Sequence, residues 1–422
     1  MIISLQRMKV PEIAQFMEIL SPTALTGEET QDIGPNWPKP KGSPFNPTHI
    51  MADLFAIADA YLDDEQIADL LKQWIVQENL SFISNLLERR HAPLSEISEA
   101  LVKYLDITKS NPVLSFNERL GISVALIQRL LSDNLNYINI AKRYLNVEIF
   151  GNLINRMVGP SDGNGKLGGK SAGLILAYQI IQHKKKSNSL LNNVQTPKSW
   201  FITSDAIFEF IHFNALEEFV FTKYLNPEEI QLEYPFLEYI FKNAPFPHEL
   251  LFGFKRILDD MDGKPLIIRS SSLLEDSFEA SFSGKYKSLF ISNIGSKEER
   301  LLALVNAVAE VYASTFGPDP MVYRKERGLL DFREEMGILI QEVVGSKIGK
   351  YYLPSYAGVA FSNNEFSWSP RIKREDGIIR LVAGLGTRAV DRTMNDYPIL
   401  ISPGKPTINV NTSIHDRIKY SQ

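Results

Sequence analysis

The sequence predicts an α+β protein, in which an all-helical module precedes a domain of short strands and helices. Two patterns indicate this fold class. Apolar residues recur at helical spacing between residues 49 and 150, whereas short β-rich runs alternate with helical segments after residue 150. The chain has 422 residues, of which 44% are apolar and 23% charged. These values are typical of a globular protein with room for more than one domain.

The amino-terminal part divides into a segment with a linker, residues 1–47, and a helical domain, residues 48–150. The run Gly34–Pro47 is rich in proline and glycine and lacks apolar periodicity, which predicts a loop or linker. Capping-box spacing at Asp63–Gln66 and Ser115–Glu118 predicts two helix starts. One helix face in this domain should carry Ile67, Leu70, Leu71, Trp74 and Ile75. Such stripes indicate a packed core, and we assign them no chemistry.

Residues 151–422 form the predicted mixed domain. The basic stretch from His183 to Asn193 predicts a solvated loop. The predicted strands are Trp200–Thr203, Pro265–Ile268, Gly337–Val344, Ala357–Ser362 and Ile378–Ala383.

Composition excludes several classes of site. The net charge is −5 with both signs interspersed, so no basic stripe predicts a nucleic-acid partner. The chain has no cysteine, which excludes disulfides, thiolate metal sites and a cysteine nucleophile. The six histidines never occur at His-x-x-x-His spacing. No window is apolar enough for a membrane span, and we expect a cytoplasmic protein.

The first chemical motif is the glycine-rich run Gly163–Leu174, in which Lys170 stands at the predicted start of a helix near Ser171. Glycines let backbone approach an anion, a helix amino terminus offers N–H donors, and lysine adds positive charge. A P-loop is disfavoured, because Asn164 occupies the position of its first glycine. The motif predicts phosphate binding or a structural glycine turn.

The second motif is Ile267–Phe290, where an apolar strand delivers Arg269 into a serine-rich loop and a further loop carries Gly284. An arginine at a strand end can hold phosphate oxygens bidentately. Hydroxyls and N–H groups near Gly284 could cover a phosphate, because small residues allow close approach. A capped surface loop is the alternative interpretation.

Five motifs in one order carry a resemblance that covers about Val158–Arg392. They are GGKSAGL, TPKSWFITSDAI, IIRSSSLLEDSFEASFSGKY, VYASTFGPDPMVYR and MGILIQEVV. The stretch resembles the ATP-binding domain of phosphoenolpyruvate synthase and pyruvate phosphate dikinase. The resemblance implies an ATP-grasp-like fold in which two subdomains clamp ATP. It also implies a kinase-type transferase that phosphorylates a carrier histidine.

The resemblance implies a role for each site residue. Lys170 and Arg269 would contact the ATP phosphates and act as the catalytic residues, with Mg²⁺ as a further cofactor. Gly284, Ser288 and Leu289 would belong to a loop over the nucleotide. Gln341 would lie on a strand beside the adenine.

Two family features are not found in the sequence. None of the six histidines lies in the Thr-x-Gly-Gly and Ser-His setting of the carrier, and no Gln-x-Arg-Pro follows Arg392. We therefore expect an ATP domain that is truncated at its carboxyl end, with the carrier domain and the magnesium ligands outside this chain. The leading hypothesis is the ATP-binding portion of a phosphotransferase. The alternative is a non-catalytic nucleotide-binding regulatory or scaffold module.

Overall fold

The computed structural model describes residues 2–14, 47–89, 91–110, 116–274, 284–365, 368–386 and 398–408, together with residue 415. The chain forms two compact units. The first comprises residues 1–90 and 97–125, and the second comprises residues 91–96 and 126–422. The linker run from Gly34 and the predicted cap at Ser115 lie outside the described residues. The segment expected to be one helical domain up to residue 150 is thus divided between the two units.

The described part of the chain is helical as far as residue 154. These helices are Ile2–Arg7, Pro47–Tyr61, Asp64–Glu88, Leu94–Ser110, Phe116–Leu130, Leu135–Ala141 and Val147–Ile154. The capping box predicted at Asp63 is present, because its side chain accepts from the Gln66 N–H and the Gln66 side chain accepts from the Asp63 N–H. This reciprocal pair fixes the start of the longest helix.

The first unit has a small core on one side of its helices. Leu5, Leu54 and Ala58 are buried members of this core, and Ile67 and Leu70 pack against it. The predicted apolar face is only partly correct, since Leu71 is 40% exposed and Ile75 is 60% exposed. The side chain of Trp74 lies outside the description.

The second unit is built on a five-stranded sheet with the order β1-β2-β5-β3-β4. The pair β1–β2 is parallel and the other pairs are antiparallel. The strands are β1 Met157–Val158, β2 Ser199–Ile202, β3 Leu266–Ser272, β4 Ser288–Ile291 and β5 Met336–Glu342. The helices that follow residue 154 are Gly169–Lys185, Ala206–Phe213, Pro227–Asn243, His248–Asp260, Lys297–Ser314 and Pro318–Glu326, with short 3₁₀ turns at Ser189–Leu191, Glu217–Tyr224 and Arg374–Asp376.

One face of this sheet packs on the largest apolar core. Trp200, Ile268 and Ile340 from three neighbouring strands are buried there together with Phe254 and Tyr312 from the helices. Side chains alternate along a strand, so the intervening residues point to the other face. The sheet therefore has an apolar side and a second side that is open to polar side chains.

Smaller sheets follow β5. Strands β6 Ser346–Ile348 and β7 Tyr351–Leu353 form a hairpin, and β8 Tyr356–Phe361, β9 Ile378–Ala383 and β10 Ile399–Ile401 form an antiparallel sheet of order β10-β9-β8. Trp368 packs against the buried pair Ile378 and Leu400. The described part of the chain is thus a mixed helix and sheet protein, as the sequence predicts.

Two expectations need correction. The basic stretch from His183 is not wholly a loop, because the helix Gly169–Lys185 runs into it and a 3₁₀ turn follows at Ser189–Leu191. The stretch Lys297–Glu326 has the length and apolarity of a membrane helix, but 61% of its most apolar window is buried inside the protein. In the structure this stretch forms two helices, Lys297–Ser314 and Pro318–Glu326, and both contribute side chains to the large apolar core.

Candidate functional site

The second face of the five-stranded sheet carries a row of polar side chains. Gln341 on β5 pairs with Ser199 on β2 and with Ile267 on β3, and Arg269 lies two residues further along β3. Residues directly opposite or two places apart share a face of a sheet and lie within reach of one another. Strand alternation and register therefore bring Ser199, Gln341 and Arg269 together.

These three side chains form a chain of hydrogen bonds. Arg269 Nη1 donates to Gln341 Oε1 at 3.4 Å, and Gln341 Nε2 donates to Ser199 Oγ at 3.0 Å. The Gln341 side chain is buried and orients the half-buried guanidinium. Within the described residues the guanidinium makes this one hydrogen bond, and the rest of its five N–H donors can meet an anion. The predicted position of Gln341 beside an adenine stays a prediction.

Lys170 approaches the same strand from the helix Gly169–Lys185. Its Nζ donates to Ser270 Oγ at 3.2 Å, so the ammonium group lies beside the residue that follows Arg269. The next helical residue fixes this contact, because the N–H of Ser171 donates to Ser271 Oγ at 3.1 Å. The two hydroxyls of Ser171 and Ser271 are 3.0 Å apart. The serine run after Arg269 is therefore a docking surface for the start of the helix.

Gly168 allows this close approach. A Cβ atom on Gly168 would lie 1.3 Å from the backbone oxygen of Ser271, which no side chain can do without a shift of the backbone. The helix begins at Gly169, two residues before the predicted start, and Gly168 is its N-cap. This glycine is required by packing of the helix against β3.

The glycine-rich loop before Lys170 is held by a carboxylate that the sequence did not reveal. Asp205 Oδ2 accepts hydrogen bonds from the backbone N–H groups of Asn164 and Gly165, the second at 3.2 Å. The N–H of Ser204 also donates to the carbonyl of Lys166 at 2.8 Å. Two N–H groups of the loop thus already donate to Asp205 and are not available to a phosphate. Lys170 and the N–H groups at the helix start are the donors that could bind one.

The structure corrects the placement of the second predicted loop. Ser288 and Leu289 belong to strand β4, where they pair with Arg269 and Ile268 respectively. Leu289 packs against the large apolar core, so its side chain is on the opposite face from Ser288. Gly284 does lie in a turn, with φ of +75°, a left-handed conformation that favours glycine. The nucleotide contacts of these three residues stay predictions.

One cavity borders the polar face without containing the predicted site. It has a volume of about 830 Å³ and is lined by Ser199 and Glu342 together with Arg156, Tyr178 and Lys198. Gln341 donates a hydrogen bond to Ser199, which lines the cavity, but none of the six predicted site residues lines the cavity itself. We therefore place the candidate site at the hydrogen-bonded group around Arg269 and not in this cavity.

A family comparison adds independent evidence. The family described as pyruvate phosphate dikinase, AMP/ATP-binding domain, matches residues 164–422, which is more than half of the chain. The chain belongs to this family. The match contains Lys170, Arg269, Gly284, Ser288, Leu289 and Gln341, and it confirms the resemblance seen in the sequence motifs. No curated protein sequence matches the chain.

Membership of the pyruvate phosphate dikinase AMP/ATP-binding domain family identifies the second unit as a nucleotide-binding module. ATP is therefore a ligand of this domain family. A magnesium site receives no such support. Among the described residues, no group of three or more histidine, aspartate or glutamate side chains could hold a metal ion.

Proposed function

We propose that the chain is the ATP-binding portion of a phosphotransferase similar to phosphoenolpyruvate synthase and pyruvate phosphate dikinase. In this proposal Lys170 and Arg269 neutralise the ATP phosphates. Phosphoryl transfer depends on charge neutralisation and positioning more than on covalent chemistry by side chains. A lysine supplies a point charge, whereas the planar guanidinium of arginine can hold two phosphate oxygens.

One observation carries the proposal. Lys170 contacts Ser270, the residue after Arg269 on β3, so a lysine and an arginine that are far apart in sequence both lie at this strand within the family match. Gln341 holds Arg269 from the adjacent strand. This arrangement supports a phosphate site that is preorganised on regular secondary structure.

We propose an ATP-grasp-like arrangement for the second unit. Its first subdomain would be the five-stranded sheet, and its second would include the sheet β8–β10 that follows β5 in the chain. ATP would lie between them, with Gly284 and Ser288 near the phosphates and Gln341 near the adenine. The phosphoryl group would pass to a carrier histidine on a domain or subunit outside this chain. A cytoplasmic location would suit this use of ATP and the absence of cysteine.

Titration calorimetry of the 422-residue protein with ATP tests the phosphate contacts. We expect Arg269→Ala to weaken ATP binding more than Lys170→Ala, and each loss to be about 1–3 kcal/mol. Matched controls are Arg327→Ala and Lys297→Ala, because these exposed residues lie away from β3. Equal ATP affinity in Arg269→Ala, Lys170→Ala and the parent protein would refute the phosphate site.

A second assay separates transfer from binding alone. The protein is incubated with γ-labelled or β-labelled ATP and Mg²⁺, with and without an added carrier-histidine domain, and acid-labile phosphohistidine is measured. We expect label on the histidine only when the carrier is present. ATP binding without any transfer to the carrier would instead favour the non-catalytic regulatory or scaffold module.

A further inference from the structure

The helix Pro227–Asn243 carries large apolar side chains on two sides. Its inner side carries three residues of the large core, Ile230, Leu237 and Phe241. Its outer side carries three large side chains that are 81%, 64% and 66% exposed, namely Leu232, Phe236 and Tyr239. These three stand at positions i, i+4 and i+7, which form one stripe along an α-helix, and we call them the outer stripe. A surface helix usually has polar residues opposite its core face, so the outer stripe indicates a second contact surface.

The outer stripe is large enough to form the centre of a protein interface. From the exposed fractions, its three side chains present on the order of 400 Å² per copy of the chain. Contiguous apolar patches of about 300–600 Å² on a protein surface are often functional. Each partner in a standard interface buries about 800 Å². The outer stripe would thus supply about half of that area, and exposed neighbours on the same helix would form a polar rim.

Charges at the two ends of the helix indicate which partner fits. The first turn carries Glu228 and Glu229, the last turn carries Lys242, and all three are exposed. Lys242 pairs with Glu310 at 3.1 Å, but its side chain is 41% exposed and that of Glu310 is 20% exposed, so the ammonium group is the more accessible of the two. An antiparallel second copy of the helix would place each acidic turn beside Lys242 of the other copy. A parallel copy would place glutamates beside glutamates, and the helix dipoles oppose it as well.

The outer stripe is also symmetric about one point in the sequence. Leu232 lies three residues before Pro235, and Tyr239 lies three residues after Phe236. A two-fold axis between Pro235 and Phe236 would therefore set Leu232 against Tyr239 of the second copy. The same axis would set Phe236 against Pro235 of the second copy. The stripe is thus complementary to its own reversed copy, as a two-fold symmetric contact requires.

We propose that this chain forms a two-fold symmetric dimer in which the two copies of the helix Pro227–Asn243 pack antiparallel through the outer stripe. Helices that pack in this way cross at about 20° with axes about 8–10 Å apart. The three apolar side chains would leave water together, and the charged turns would close the contact at both ends. The helix packs on the apolar core of the five-stranded sheet, whereas Arg269 lies on the other face of that sheet. The dimer would thus leave the candidate nucleotide site open in both copies.

Sedimentation equilibrium of the 422-residue protein tests the dimer. We expect a reversible monomer–dimer equilibrium between about 1 and about 100 μM. Phe236→Glu should weaken dimerisation by at least about a hundredfold, because it brings two carboxylates together at the two-fold axis. The matched control is Phe252→Glu on the helix His248–Asp260, where the side chain is 67% exposed, and it should dimerise as the parent does. Both are surface substitutions, so their melting temperatures should stay close to that of the parent.

Crosslinking through an introduced cysteine tests the antiparallel orientation, because the chain has no cysteine of its own. Phe236→Cys should crosslink to a second copy of itself with a short bismaleimide, since this position lies beside the two-fold axis. Antiparallel pairing puts the two copies of position 228 about 22 Å apart along the helix, beyond the reach of the reagent. Glu228→Cys alone should therefore not crosslink, whereas a mixture of Glu228→Cys and Asn243→Cys should.

Four results would overturn the dimer. They are a parent protein that stays monomeric at about 100 μM, no effect of Phe236→Glu, equal weakening by Phe252→Glu, and efficient crosslinking of Glu228→Cys to itself. Calorimetry with ATP gives a separate measurement, in which Phe236→Glu should bind ATP as the parent does. Failure of the dimer therefore leaves the proposed nucleotide site unaffected, and failure of ATP binding leaves the dimer unaffected.

Discussion

The two faces of the five-stranded sheet are made from the same strands but have different tasks. On one face Trp200, Ile268 and Ile340 are buried in the core, each at most 4% exposed. On the other face Ser199, Gln341 and Arg269 are linked by hydrogen bonds. Alternation along a strand therefore couples a rigid apolar support to a polar site, because neighbouring residues point to opposite faces.

The two faces should respond differently to substitution. Loss of a core side chain leaves a cavity and lowers stability, whereas loss of a polar side chain at the site removes ligand contacts with little effect on packing. The largest changes in stability should therefore follow substitutions on the apolar face.

The largest effect is expected on the apolar face. Ile268→Ala should lower the free energy of unfolding by about 2–5 kcal/mol, because Ile268 is fully buried and its removal leaves a cavity. Denaturant unfolding measures this change. The control is Ile294→Ala, which removes the same atoms from a side chain that is 74% exposed and should change stability by less than about 0.5 kcal/mol. Similar losses in both variants would contradict the assignment of Ile268 to the core.

The contact between the helix start and β3 should be sensitive to a single added methyl group. Gly168→Ala places a Cβ against the Ser271 backbone oxygen and should cost about 1–3 kcal/mol of stability, with weaker ATP binding. Gly173→Ala is the matched control in the same helix, because its Cβ would meet nothing within 4 Å. It should gain up to about 1 kcal/mol from helix propensity. An ATP affinity that is unchanged in Gly168→Ala would separate the helix start from the site.

Several strands could be predicted from the sequence because their apolar runs are continuous. The predictions at Trp200–Thr203 and Ile378–Ala383 lie within one residue of β2 and β9. Length alone does not decide the outcome, because β2 and β4 each have four residues. The missed strands β1 and β4 are the two edges of the five-stranded sheet and depend on partners elsewhere in the chain, so Ser288 was placed in a loop instead of a strand.

The cations of the candidate site could be predicted from local motifs, whereas the residues that hold them could not. Lys170 and Arg269 were predicted from glycine- and serine-rich runs in the sequence, although the serine run belongs to the end of β3 and is not the predicted loop. Gln341 contacts Arg269 across a separation of 72 residues, and Asp205 contacts Gly165 across 40 residues. Such partners are set by register and tertiary packing. The Asp205 that follows β2 could have been noted as a polar residue at a strand end.

Gln341 gives a prediction that distinguishes positioning from direct contact. Gln341→Ala releases the Arg269 guanidinium and should weaken ATP binding by about 1 kcal/mol, which is less than the loss in Arg269→Ala. The double variant should resemble Arg269→Ala alone if Gln341 acts through Arg269. Calorimetry on the four proteins provides the cycle. Additive losses would indicate that Gln341 contacts the nucleotide itself, as the family resemblance implies.

The smallest effect is expected at Asp260, the last residue of the helix His248–Asp260. Its carboxylate accepts from Lys198 Nζ at 2.6 Å and from Trp200 Nε1 at 2.8 Å. Partial burial acts to raise the pKa of Asp260, but these two hydrogen bonds lower it below 3.8 overall.

A carboxyl group with a depressed pKa stabilises the folded state above its unfolded pKa, and this contribution is lost as the pH falls through the folded value. Asp260→Asn should therefore melt at a lower temperature than the parent at pH 7, and the difference should disappear as the pH falls below 3.8. Asp259→Asn is the matched control, since its partner Lys297 is 79% exposed and the pair should contribute little. Melting curves from pH 7 to pH 3 decide the point: a difference for Asp260→Asn that stays constant with pH would mean that shape, and not the charge of the carboxylate, holds Lys198 and Trp200 in place.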